Sequence, residues 1–228
     1  GYNCNPIQYA EHRKTLENVI CTAGKFGATH VSTFAGAWEG KPVESAYEEF
    51  GKVFRELADL AEEKGVKLGI ENCLMDGTWE HATCNIGFNP TAWEVMFEEV
   101  KNDNFGLEWE PTHQMVQLID PVTELRKWCK KIVHIHGKDA TIDWDAVRHS
   151  GISGAVPFVW HRMPGFGDTN WRDIISILRS NGYEDDICIE GYHDPVYSGE
   201  LEMTGQLHAL NYLKWCRGGD FTPTPWAK

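Results

Sequence analysis

Apolar positions along the chain alternate between two periods. Steps of three and four residues mark helices. Leu16, Val19, Ile20 and Ala23 predict one over 9–27, and Tyr47, Phe50, Phe54, Leu57 and Ala61 a second over 43–65. Further helices are predicted over 90–100, 120–131, 170–181 and about 200–216. Between them lie short apolar runs at 30–34, 66–70, 105–109, 132–136, 156–160 and 186–189. These predict six strands, and residues 1–6 read as the end of a seventh. Strand and helix following one another along most of the chain point to an α/β fold with a parallel sheet. The segment 73–90 is irregular and rich in Gly and Asn, long enough to be a binding loop or lid.

Four of the apolar runs end in a side chain of the metal-binding type. These are Glu71, Glu110 (with His113 three residues on), His136 and Glu190. In a parallel (β/α) barrel the carboxyl ends of the strands converge on one face, where the active site sits. Three carboxylates and one imidazole there could hold one divalent cation. Hard oxygen donors with a single imidazole suit Mn²⁺ or Mg²⁺, with Co²⁺ or Zn²⁺ as alternatives, and the lack of a cysteine in the set argues against structural zinc. Each residue also has a plainer reading: a salt bridge for a strand-ending glutamate, a satisfied core histidine for His113.

Strand alternation puts Glu108 on the face of Glu110, and His134 on that of His136, with Lys138 beyond. His134, deeper in its strand, reads as hydrogen-bonded to a neighbouring carbonyl. Lys138 and Asp139 are candidates to support the ligands or touch substrate. Arg162, before the Pro-Gly-Phe-Gly loop, could hold a hydroxyl, carboxylate or phosphate, or be a plain surface arginine. His193 and Asp194 closely follow Glu190 and could support it or form a second metal site.

A closed barrel of this kind needs eight strands. The expectation is therefore a (β/α)₈ TIM barrel that lacks its first βα unit and most of its second strand here, with roughly 50 residues missing. Residues 1–228 read as a single domain, with an irregular tail over 217–228 that is rich in Pro and Gly.

The net charge of −13 disfavours a nucleic-acid partner. No apolar run approaches the ~18 residues of a membrane helix. Seven cysteines, an odd number with no CxxC pair, read as reduced thiols in a cytoplasmic setting. Cys129 and Cys188 sit in apolar segments and are expected in the core.

The segments Gly-Ile-Glu-Asn, Gly-Leu-Glu-Trp-Glu-Pro-Thr-His, Val-His-Ile-His-Gly-Lys-Asp-Ala, Arg-Met-Pro-Gly-Phe-Gly-Asp-Thr-Asn-Trp and Ile-Glu-Gly-Tyr-His-Asp-Pro resemble the xylose-isomerase-like TIM-barrel superfamily. More narrowly they resemble its sugar phosphate isomerase/epimerase branch, near the ketose 3-epimerases and inosose-processing enzymes. The resemblance implies metal ligands at Glu71, Glu110, His136 and Glu190, with Glu110 standing where the family usually has Asp. It implies proton transfer by Glu71 and Glu190, and a substrate-steadying role for His113. The expected activity is a metal-dependent sugar isomerase or epimerase that removes a proton α to a carbonyl through an enediolate. Alternatives are an inosose-type dehydratase, an abasic-site endonuclease and a non-catalytic sugar-binding protein. The expected partner is a small sugar, sugar acid or cyclitol, with homo-oligomerisation left open.

Overall fold

The computed structural model describes residues 4–191, 193–219 and 222–225. The chain forms two compact units, one of Gly1–His136 with Asp185–Cys188, the other of Gly137–Glu184 with Ile189–Lys228.

The first unit runs α1 (Ala10–Ala23), β1 (His30–Thr33), α2 (Tyr47–Glu63), β2 (Lys67–Glu71), α3 (Pro90–Glu99), β3 (Phe105–Trp109), α4 (Thr112–Met115), α5 (Pro121–Trp128) and β4 (Ile132–Gly137). The second holds β5 (Asp139–Ile142), α6 (Trp144–Ser150), β6 (Val159–Arg162), α7 (Trp171–Ser180) and α8 (Glu202–Arg217), while β7 (Ile187–Ile189), between α7 and α8 in sequence, has Ile187 and Cys188 in the first unit. β7 joins the main sheet, whose strand order is β1-β2-β3-β4-β7. The pairs from β1 through β4 are parallel.

The helices form where their apolar stripes and caps dictate. In α2, Phe50, Phe54, Leu57 and Ala61 are buried, and Phe50 and Phe54 stack at 4.5 Å and lean on Phe105 of β3. Asn89, Asp120 and Asn170 cap α3, α5 and α7 by accepting backbone N–H groups of the first turn. Pro90 and Pro121 follow the first two of these caps, where a missing N–H costs nothing.

Register decides what the sheet presents. Glu71 pairs with Glu108, and Glu108 with His134. The β3–β4 ladder shifts at Leu107/Glu108, and two glycines leave the space beside that shift. A Cβ on Gly69 would come within 2.8 Å of Val133 Cγ2, and one on Gly106 would overlap the Lys131 carbonyl oxygen.

Four expectations change. The apolar run at 156–160 does not form a strand of the main sheet. Residues Val159–Arg162 pair antiparallel with Asp139–Ile142 as a separate ribbon. Pro157 has no N–H to give a ladder, and Val156 and Trp160 are 52% and 44% exposed. β5 and α6 were not foreseen, because Asp-Ala-Thr-Ile carries little apolar signal and α6 buries none of its residues. Residues 4–6 lie outside any strand, while 1–3 fall outside the described residues. Cys129 is buried as expected, but Cys188 is exposed, since alternation alone does not say which side of a short strand is covered. None of the seven cysteines is in a disulfide. Among the described residues no helix is long and apolar enough to cross a membrane.

Candidate functional site

In the first unit, the carboxyl ends of β2, β3 and β4 bring Glu71, Glu108 and His136 together. His136 Nε2 lies 3.1 Å from Glu108 Oε1, and its Nδ1 lies 3.8 Å from Glu71 Oε1. Glu108 is buried, while Glu71 and His136 each keep about a fifth of their side-chain surface exposed, at 19% and 21%. The imidazole thus has a carboxylate facing each of its nitrogens. Burial alone would raise the Glu108 carboxyl, but the hydrogen bond and charge of His136, with smaller contributions from Ser32 and His134, hold it below the usual range.

Glu110 closes β3 and is fully buried. Its two oxygens accept the backbone N–H groups of Thr112 (2.6 Å) and His113 (2.7 Å) at the start of α4. Its own N–H and carbonyl are held by the Asn72 side chain at 2.8 and 2.9 Å. His113 Nε2 lies 3.8 Å from Glu110 Oε1. Glu110 and His113 thus form a pair at the end of β3, anchored to the backbone of the next turn.

Two asparagines give this end its rigidity, and the motif reading passed over both. Asn72 follows Glu71 directly. Asn85, inside the long loop, donates to the carbonyls of Glu71 (2.9 Å) and Cys73 (2.8 Å) and accepts from Ala35 and Gly87 N–H. Both are fully buried, and a buried amide with this many partners fixes the loop against the strand ends. The available signal was the Asn after a strand-ending Glu and the Asn content of 73–90.

In the second unit, Lys138 Nζ donates to Glu190 Oε1 at 2.6 Å, and the Glu190 N–H bonds the Gly137 carbonyl at 3.0 Å. Arg162 Nε donates to Asp194 at 3.2 Å, and its guanidinium lies over the Phe166 ring. Asp194 also accepts from Met163, Val196 and Tyr197 N–H, each at 2.8 Å. Burial works against the charged Asp194, but these amides and Arg162 prevail and its carboxyl is lowered. Arg162 therefore helps hold this loop in place.

Asp139 accepts from the N–H groups of Ala140, Gly165 and Thr169 and so pins the Pro-Gly-Phe-Gly loop, although burial raises its carboxyl. Gly191, His193, Asp194, Tyr197 and Glu202 line a cavity of about 390 Å³. Burial, then the Lys138 charge, lowers the pKa of His193.

Comparison with known proteins sets these residues in context. Inosose dehydratases of Clostridium tetani and Histophilus somni are 26% and 27% identical over 182 and 170 residues. The alignments cover 78% and 70% of this chain, and the chain spans 57% and 52% of those two proteins. Among solved structures, a xylose isomerase domain protein from Planctomyces limnophilus aligns with a TM-score of 0.68 at 20% identity, over 91% of this chain and 65% of that one. The IolI protein with a bound zinc atom aligns at 0.63 and 22%, over 91% and 68%. The isomerase class expected from the sequence is corrected by these relatives, which are lyases. Isomerase and dehydratase chemistry open with the same proton abstraction, so the strand-end carboxylates read from the sequence did not separate them. A family model described as xylose isomerase-like TIM barrel matches residues 3–214, and the chain belongs to that family.

Proposed function

We propose that the chain carries the metal-binding and proton-transfer residues of a dehydratase acting on a polyhydroxylated ketone of the cyclitol or sugar class. The observation that carries this is the placement of His136 between Glu71 and Glu108, taken with relatives named inosose dehydratases. An imidazole beside a carboxylate fits a divalent cation, and the proposed ligands are Glu71 and His136, with Glu108 at the other ring nitrogen orienting the imidazole. Glu110 and Glu190 join them on the sequence motifs alone. The amides that Glu110 accepts do not disqualify it, because a carboxylate oxygen has a second lone pair. Mn²⁺ or Mg²⁺ matches the carboxylate-rich set, and Zn²⁺ also suits it; the IolI protein has been solved with zinc. A cation held there would supply Lewis-acid polarisation of a substrate carbonyl.

The chain's own residues then handle protons. Glu71 and Glu190 are the proposed pair: one takes the proton α to the ketone, and the other returns a proton to the β-hydroxyl, which departs as water. The C–H bond and the β C–O bond break, a C=C bond forms, and water carries both leaving pieces. Lys138, 2.6 Å from Glu190, holds that carboxylate in place between turnovers. His113 contributes a hydrogen bond to a substrate oxygen.

The test is mass analysis of a polyhydroxy cyclohexanone incubated with the chain and Mn²⁺ in D₂O. The expected product is lighter by one water and absorbs as a conjugated ketone, and Glu190→Gln forms none. A product of unchanged composition with inverted stereochemistry would refute the dehydratase reading.

A further inference from the structure

β1, β3 and β4 bring a second group of donor side chains close together. We propose that His30, Glu108 and His134 form a site for one zinc-class divalent cation, separate from the cation proposed at Glu71 and His136. One ligand atom from each of the three lies within 4.8 Å of the other two. The His30 and His134 rings stack at 4.0 Å with 23° between their planes. Glu108 and His134 are 5% and 4% exposed, whereas His30 is only partly buried and opens β1, which gives an ion a way in.

The chemistry selects the ion. Two imidazoles and one carboxylate with a position left for water are the donors of open zinc sites. The set is too nitrogen-rich for Mg²⁺ and contains no thiolate. Two stacked imidazoles against a buried carboxylate bring several polar atoms out of water together. A single cation would satisfy a nitrogen from each ring and a carboxylate oxygen at once. Glu108 can serve here while touching His136, because it offers two oxygens and Oε1 is the one at His136. A cation so held ties β1, β3 and β4 together across the sheet and adds to the folded state by mass action. The site does not depend on the dehydratase reading.

The experiment is Zn²⁺ and Co²⁺ titration of the metal-stripped chain, read by bound metal per chain, visible absorption of Co²⁺ and thermal unfolding. His136→Gln should still bind one Zn²⁺ per chain and show the Co²⁺ spectrum of a four-coordinate nitrogen-containing site. At a hundredfold excess over Kd its unfolding midpoint should rise by roughly 5–10 °C. His30→Gln and, independently, His134→Asn should each lose that equivalent while keeping whatever His136→Gln loses. Equal Zn²⁺ binding by wild type and both variants would overturn the proposal. If neither variant folds, His136→Gln decides alone, and the absence of a bound equivalent with that Co²⁺ spectrum would overturn it. A wild-type chain that binds this equivalent yet forms no dehydrated product would count against the function reading only.

Discussion

Lys138 Nζ lies 2.6 Å from Glu190 Oε1, with the lysine side chain 4% exposed and the glutamate 27%. The two ends of this ion pair are thus unequally solvated, and removing either leaves a different problem. Glu190→Gln strands an enclosed ammonium and is expected to cost about 3–5 kcal/mol, the range for breaking a buried pair. Lys138→Met strands a carboxylate that water still reaches, and should cost about 1–2 kcal/mol, between the exposed and buried cases. The double variant should be less destabilised than Glu190→Gln alone. Urea unfolding of the three variants checks the order, and simple additivity would show that the pair is not coupled.

Glu110 does its structural work through two backbone amides, which separates that role from metal binding. Glu110→Ala orphans the Thr112 and His113 N–H groups and is expected to destabilise by about 1–3 kcal/mol. If the role is purely structural, the loss is the same in EDTA and in Mn²⁺. A larger loss in Mn²⁺ would identify the carboxylate as a ligand as well. Glu110→Asp shortens the reach by one methylene and tests whether the amides or the cation set the length required.

Asp194 provides a pH signature. Its folded pKa is depressed by the amides of Tyr197, Met163 and Val196 and by Arg162, which together outweigh burial. The unfolded chain therefore takes up this proton first as pH falls, near the ordinary value of about 3.9. The stabilisation is fully present above that value and disappears as pH falls through the folded pKa. Asp194→Asn should cost about 1–3 kcal/mol at pH 7, since charged hydrogen bonds are lost. The gap between wild type and variant should close below about pH 4. A gap that stays constant from pH 7 to pH 3 would mean that the carboxylate charge contributes nothing.

The α/β class was legible because burial has a period, and period is local. Phe50, Phe54, Leu57 and Ala61 recur on one side of α2 wherever that helix packs. Asn89, Asp120 and Asn170 announce the starts of helices from their own side chains. The strand-ending Glu71, His136 and Glu190 stood out for a related reason, since an ionisable group after a buried run needs a partner. The run 156–160 shows where this logic fails. An apolar stretch does not state which strand it joins, and Val159–Arg162 pairs with Asp139–Ile142 in a separate ribbon instead.

By itself the sequence determined which residues end the strands, where the helices begin and that several acids and imidazoles share one face. It also determined the family, through motifs in fixed order. Only the tertiary structure decided which partner each of those side chains takes. Glu108 reaches His136. Glu110 turns to the amides of Thr112 and His113, and Arg162 goes to Asp194. These choices depend on ladder register, on the shift at Leu107/Glu108 and on the room left by Gly69 and Gly106. Hydrogen bonds and ion pairs are decided over a few tenths of an ångström, and strands distant in sequence reach that precision only after the sheet has closed their register.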